Sequence, residues 1–417
     1  MHLKDYFGGK PFGGERLEGS SRRSALRSQS AIARDGISMP SVPASRILAA
    51  ADRLFADRFL ADCRPLTAAR YRLFLLLYPE RLRMDSSSFI RRLPKAELHL
   101  HLEGTVTPET LVELSRRHDS ALLDLEQAQA LYAYQDFTGF LMAFKAISEH
   151  LLTAEDYELI TWRMLKRLAA QGVVHAEVYV SVGVVYYWRR CAFEPLFEGM
   201  ERARVRAERE LGITLYWIFD AVRHFGPEEA AKVFRKAAEM RTQHPSIIGI
   251  GIGGDERRTG AEPFRELYAE ARDAGLRLTA HAGETTGPDA IWGALNIGAE
   301  RLGHALSAIH DQELMEVLAH RQVPLEICVT SNVKTGCCLR MEDHPLRQYF
   351  DEGLMVTLNS DDPALFHSDL AQEYERAQEH FGFTEEHLRE LAANSIEASF
   401  LPPDRKVMLL RGIESLQ

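Results

Sequence analysis

The stretch PKAELHLHLEG, Pro94 to Gly104, alternates Leu98, Leu100 and Leu102 with His99, His101 and Glu103. A strict two-residue period is that of a β-strand, on which residues i and i+2 point the same way. His99 and His101 therefore project side by side, and Gly104 ends the run. On its own, an H-x-H run is more often a half-exposed strand with its polar residues toward water. Its meaning here depends on whether partners stand elsewhere in the chain.

Seven more β-rich runs follow, so that the strands are expected at 95–102, 173–182, 213–222, 247–254, 276–283, 300–306, 324–329 and 354–360. The intervening segments, such as 263–275 and 311–322, carry helical spacing. Strands alternating with helices imply parallel βα units, and eight units imply an α/β fold of the (β/α)8 TIM-barrel type. About seventy residues separate the first two strands and look helical, which predicts an insertion over the barrel mouth as a lid.

Barrels of this kind carry their chemistry where strands end. The first strand ends in His99, His101 and Glu103, and the fourth in Gly253-Gly254-Asp255-Glu256. The fifth ends in His281-Ala282-Gly283-Glu284, the sixth in Gly303-His304, and the eighth in Ser360-Asp361-Asp362-Pro363. Three imidazoles and one carboxylate, from His99, His101, His281 and Asp361, make a ligand set for zinc with a position left for water. Glu284, His304 and Asp362 remain as acid–base groups. Each has a plain structural alternative: His281 as a core imidazole, His304 as a strand cap, Asp361-Asp362 as a turn before proline. Five such strand ends on one barrel face outweigh those alternatives. The histidines His118, His224, His310, His320, His344, His380 and His387 are read as surface residues.

Composition sets the frame. The chain has 417 residues, 46% hydrophobic and 26% charged, which is ordinary for a globular protein. No apolar run approaches the ~20 residues that span a bilayer, so no membrane association is expected. The net charge of −10 opposes nucleic-acid binding. Five cysteines (Cys63, Cys191, Cys328, Cys337, Cys338) form no C-x-x-C pair, which predicts a reducing, cytoplasmic compartment. Residues 1–83 hold 13 Arg and 2 Lys against 8 Asp and Glu, a balance of +7 that leaves −17 for the rest. This Arg-rich extension reads as translated upstream sequence rather than a targeting peptide or a helical arm, with a barrel unit at 84–417.

From residue 92 to about 400 the chain resembles the adenosine deaminase family. PKAELHLHLEG, GGDE, HAGE, RLGH, TSNVKTG and NSDDP occur in that family's order. The resemblance implies one zinc per chain, held by His99, His101, His281 and Asp361, and hydrolytic deamination of a 6-aminopurine. Glu284 would protonate the purine N1, and His304 and Asp362 would orient and deprotonate the attacking water. Gly254 would offer its backbone N–H to the purine, and Glu103 would lie near the sugar end. The substrate partners are a small purine and water.

Some motifs depart from the family pattern. Adenosine-specific members usually carry Asp where this chain has Glu103, and GIGIGGDE replaces the more usual IDLAGDE. RLGHA replaces RIGHG and CVTSN replaces CPTSN. After the second strand, VSVGVVYYWRRC offers Tyr186, Tyr187, Trp188, Arg189 and Arg190, suited either to a bulkier or acidic substituent or to ordinary packing. Adenosine or deoxyadenosine is the first expectation; aminodeoxyfutalosine, a modified adenine nucleoside, and adenine are the alternatives. A binding protein that keeps the site would lose a ligand, and none is lost. A two-zinc hydrolase would need a bridging Lys or Glu where Gly253-Gly254 stands.

Overall fold

A computed structural model of the chain describes residues 87–118 and 122–416. Its first strand, β1 (Lys95–His101), is buried along its whole length. The leucines and the histidines are thus both covered, as in a parallel strand with helices on one side and a barrel interior on the other. The remaining strands are β2 (Val173–Val180), β3 (Thr214–Val222), β4 (Ile247–Gly253), β5 (Arg277–Ala282), β6 (Arg301–His304), β7 (Leu325–Ile327) and β8 (Val356–Leu358). They run parallel and pair in sequence order. The circle closes where His101 N donates to Asp361 O and Asp361 N donates to His99 O, both at 2.9 Å. All eight expected strands are present, each end within two residues of its expected place.

The interior of the barrel is partly ionic. Arg301 of β6 pairs with Glu177 of β2 and, at 2.7 Å, with Glu326 of β7, all three fully buried. Opposite charges share this space because neither sign could be buried unpaired.

The helical insertion after β1 consists of Pro108–Arg117, Leu125–Leu131, Phe137–Ser148 and Ala154–Ala169. Side-chain caps start these helices: Asp136 accepts from Gly139 N, and Thr153 and Asp156 form a reciprocal capping box. Phe137, Phe140 and Phe144 recur at helical spacing and face the mouth of the barrel, where the Phe144 ring lies 6.4 Å from His101. The insertion expected over the mouth is there. The Arg-rich extension expected at 1–83 lies outside the described residues. Among those described, no helix is long and apolar enough to cross a membrane.

Candidate active site

His99, His101, His281 and Asp361 converge at the carboxyl ends of β1, β5 and β8, with one potential ligand atom from each, all within 4.8 Å of one another. His101 Nε2 is 3.2 Å from His281 Nε2. Asp361 Oδ1 is 3.4 Å from His101 Nε2 and 3.6 Å from His99 Nε2. Tetrahedral ligands about 2.0–2.1 Å from a zinc ion stand roughly 3.3 Å apart, so the spacing fits. His99 Nε2 is buried without a hydrogen-bond partner, the orphaned lone pair a metal would use. The outer ring nitrogens are engaged: His99 Nδ1 donates to Glu326 Oε2 at 2.7 Å and His281 Nδ1 to Ile252 O at 3.1 Å. Each contact fixes the tautomer that leaves Nε2 free toward the cluster.

The local backbone is built around these side chains. Asp361 (φ 61) and His304 (φ 63) sit in the left-handed region, which β-strand ends without glycine rarely adopt. Gly104 is required by contact: a Cβ there would lie 1.8 Å from Asp362 Oδ1, so the carboxylate rests on the bare glycine. The glycine that ends the opening motif is the seat of an acid that follows the last strand.

Glu284 is held by Glu256, whose carboxylate accepts from Gly283 N at 2.9 Å and Glu284 N at 3.0 Å. Burial, then the neighbouring Asp361 and Glu256 carboxylates, pushes the Glu284 carboxyl well above its usual range, which favours its protonated form. The two carboxyls of the Asp361–Asp362 pair are shifted in opposite directions. Burial would raise Asp361, but His99 and the other surrounding imidazoles hold it well below its usual range. Burial and the adjacent Asp361 push Asp362 the other way.

His304 stands 3.8 Å from Glu284 and 3.9 Å from Asp361 by its Nε2. A chain of hydrogen bonds fixes its proton. Leu346 N, which can only donate, bonds His344 Nδ1 at 3.1 Å. His344 Nε2 must then donate to Asn332 Oδ1, and Asn332 Nδ2 to His304 Nδ1, each at 3.1 Å. Neutral His304 therefore presents Nε2–H to the site. Burial lowers its pKa to about 3, so it stays neutral.

These groups open into a cavity at the mouth of the barrel. Its apolar wall is Phe137, Phe140, Leu141, Phe144, Val184 and Trp188. His101, His281, Glu284, His304, Asp361, Asp362 and Gly254 line the same cavity, so the strand ends expected to act together do meet. Glu103 does not line it. That carboxyl is buried behind the wall, accepts from Ser181 N at 3.1 Å, and is pushed by burial to about 7; Ser181 is the residue that faces the cavity. Trp188 reaches the cavity, whereas Tyr187 stacks on Phe225 with centroids 4.0 Å apart. Arg189 donates to Leu152 O at 3.1 Å, and Arg190 lies at a separate surface pocket.

Two histidines read as surface residues are not. His344 is buried and orients Asn332, and His224 is half-buried, lines the cavity, and accepts from Asp255 N at 3.2 Å. His224 sits in a single helical turn, Arg223–Phe225, and His344 in a loop, segments too short for sequence periodicity to signal burial. Asp220, Glu256, Glu326 and Asn332 were also given no role in the sequence reading. The available signal was a polar residue inside an otherwise apolar strand, as in FDAV for Asp220 and LEI for Glu326.

The comparisons with known proteins agree with this geometry. Residues 94–416 match the family model described as Adenosine deaminase. The chain is 37% identical over 335 residues to the aminodeoxyfutalosine deaminase of Streptomyces avermitilis, covering 79% of this chain and 93% of that one. The solved adenine deaminase of Arthrobacter aurescens superposes with a TM-score of 0.74 at 34% identity, over 77% of this chain and 98% of its own. A zinc-bound amidohydrolase from Burkholderia ambifaria gives 0.73 at 26% identity, over 85% and 96%. The barrel and its buried cluster are those of an amidohydrolase, a hydrolase acting on C–N bonds. The chain belongs to the adenosine deaminase family.

Proposed function

We propose that the protein is a zinc-dependent deaminase of a 6-aminopurine nucleoside enlarged at the sugar, of which aminodeoxyfutalosine is the best candidate. The observation that carries this reading is the cavity. Its apolar wall, from Phe137, Phe140, Phe144 and Trp188, stands beside the polar cluster and offers contact to a substituent beyond the purine ring. The relative from Streptomyces avermitilis bears the name of that activity. Adenosine, the first expectation, is named for none of the three relatives above.

The convergent nitrogens of His99, His101 and His281 and the Asp361 carboxylate fit zinc, which when bound lowers the pKa of water from ~15.7 to about 7. The chain's own residues do the rest. Asp362, in its ionised form, takes the proton of the attacking water. His304, as an Nε2–H donor, orients the oxygen rather than removing its proton. Attack at C6 pushes electrons onto N1, and Glu284 delivers the proton there. The proton held by Asp362 then goes to the amino group, which leaves as ammonia, while the C6 hydroxyl gives its proton back to Glu284 and becomes the carbonyl. Gly254 offers its backbone N–H to the ring.

Adenine is the second reading. Among the described residues no Arg or Lys lines the cavity, so an acidic substituent would find no fixed cation. Ammonia release from aminodeoxyfutalosine, adenine, adenosine and 2′-deoxyadenosine decides between them. The highest kcat/KM is expected for aminodeoxyfutalosine; a clear preference for adenine would overturn the nucleoside reading.

A further inference from the structure

Asp220 projects from β3 into the cavity and is 4% exposed. Its Oδ1 has no hydrogen-bond partner in the protein. Most buried polar atoms are paired, because an unpaired one forfeits its hydration. A carboxyl left open at the wall of a ligand cavity is therefore completed by what the cavity holds.

The neighbouring strand shows where that carboxyl belongs. Asp220 stands in register with Gly251 of β4. In the more usual family pattern IDLAGDE, aspartate occupies the position that Gly251 takes in GIGIGGDE. A Cβ built on Gly251 would lie 3.0 Å from Asp220 Oδ1. The space that a β4 side chain would enter is filled by a carboxyl delivered from β3. Gly251 is bare because Asp220 lies over it.

The order of strands around the rim locates the contact. The metal-type cluster comes from β1, β5 and β8, and the reading above places C6 beside it. With N1 at Glu284 after β5, the N3 side of the ring turns toward Gly254 after β4. The next strand around is β3, so Asp220 faces the edge running from N3 to N9. Beyond it, Ser181 follows β2.

We propose that Asp220 is a specificity-determining residue: its carboxyl group, carrying a proton, donates to N3 of the bound purine and replaces, from β3, a carboxyl that the more usual sequence places on β4. This deepens the functional reading above and rests on it.

The test uses Asp220→Ala, Asp220→Asn and the double variant Asp220→Ala/Gly251→Asp, each assayed for zinc content, kcat and KM on the 6-aminopurine that wild type turns over fastest. Asp220→Ala is expected to keep its zinc and raise KM by about 10-fold or more, the size of one lost hydrogen bond. Asp220→Asn, close in shape, is expected to fall between. The double variant is expected to recover most of the lost KM, which a merely structural role for Asp220 would not produce. A zinc-loaded Asp220→Ala with unchanged KM, a loss of zinc in that variant, or a folded double variant without recovery would each overturn the assignment. Wild type inert toward every 6-aminopurine would end the functional reading and this assignment together; active wild type with an indifferent Asp220→Ala ends the assignment alone.

Discussion

Gly303 and His99 share one space: a Cβ on Gly303 would stand 2.6 Å from His99 Cε1 and 3.1 Å from His99 Nδ1. The imidazole of β1 lies against the bare Cα of β6, 204 residues away in sequence, and keeps its place beside Asp361 because Gly303 has no side chain to displace it. Gly303→Ala should therefore leave a folded barrel that binds zinc weakly and turns over slowly. Metal content by atomic absorption and circular dichroism on one preparation check it; a fully zinc-loaded, active Gly303→Ala would refute the contact.

Zinc itself is testable by removal. Purified protein should hold about one zinc per chain, and dialysis against a chelator should abolish ammonia release, with zinc restoring it. His281→Ala should behave as the chelated enzyme, since a three-ligand remnant holds metal poorly or in the wrong geometry. Full activity after metal removal would end the hydrolytic mechanism proposed here.

In the proposed reaction Glu284 carries the proton for N1. Glu284→Gln keeps the shape and one hydrogen bond but has no acidic proton, so activity should fall by the ~10²–10⁴-fold typical of a lost general acid–base group. Zinc content and purine affinity should stay near wild type. Turnover within a few-fold of wild type would assign N1 protonation elsewhere.

Asn332 sets the tautomer of His304 through the chain that begins at Leu346 N. Asn332→Leu removes the donor to Nδ1, and the His304 proton is then free to sit on either nitrogen. We expect kcat to fall by roughly 10-fold or more while zinc stays bound, the scale of a misplaced supporting hydrogen bond. An unchanged kcat would mean that the Nε2–H of His304 plays no part in turnover.

The ionic interior makes the barrel acid-sensitive. Burial would raise the Glu177 carboxyl, but Arg301 and His175 outweigh it and hold it at about 2, against an ordinary 4.5. A folded value below the unfolded one stabilises the protein above the unfolded pKa, and the gain is lost as pH falls from about 4.5 toward 2. Glu177→Gln leaves Arg301 with a missing partner and should cost about 3–5 kcal/mol at neutral pH. It should also flatten the loss of stability between pH 4.5 and 2. Denaturant titrations at several pH values read both; an unchanged slope in the variant would exclude Glu177 as the sensor.

The ligand pair His99–His101 was legible because a two-residue period is a local property: no other part of the chain is needed to know that the two rings share a face. The eight strands and their carboxyl ends follow from repeated local patterns in the same way, and with them the positions of His281, Glu284, His304, Asp361 and Asp362. Other features could be decided only by closure of the barrel. Gly104 beneath Asp362, Gly303 beneath His99 and Asp220 over Gly251 are contacts between different strand ends, and sequence spacing says nothing about which side chain will meet which bare backbone. Glu103 shows the opposite case, a polar residue on the right strand end that the packing turns behind Ser181. The histidines His224 and His344 show the limit most plainly. With no period to mark a face, only the three-dimensional arrangement of these short segments could place one at the cavity and the other behind Asn332.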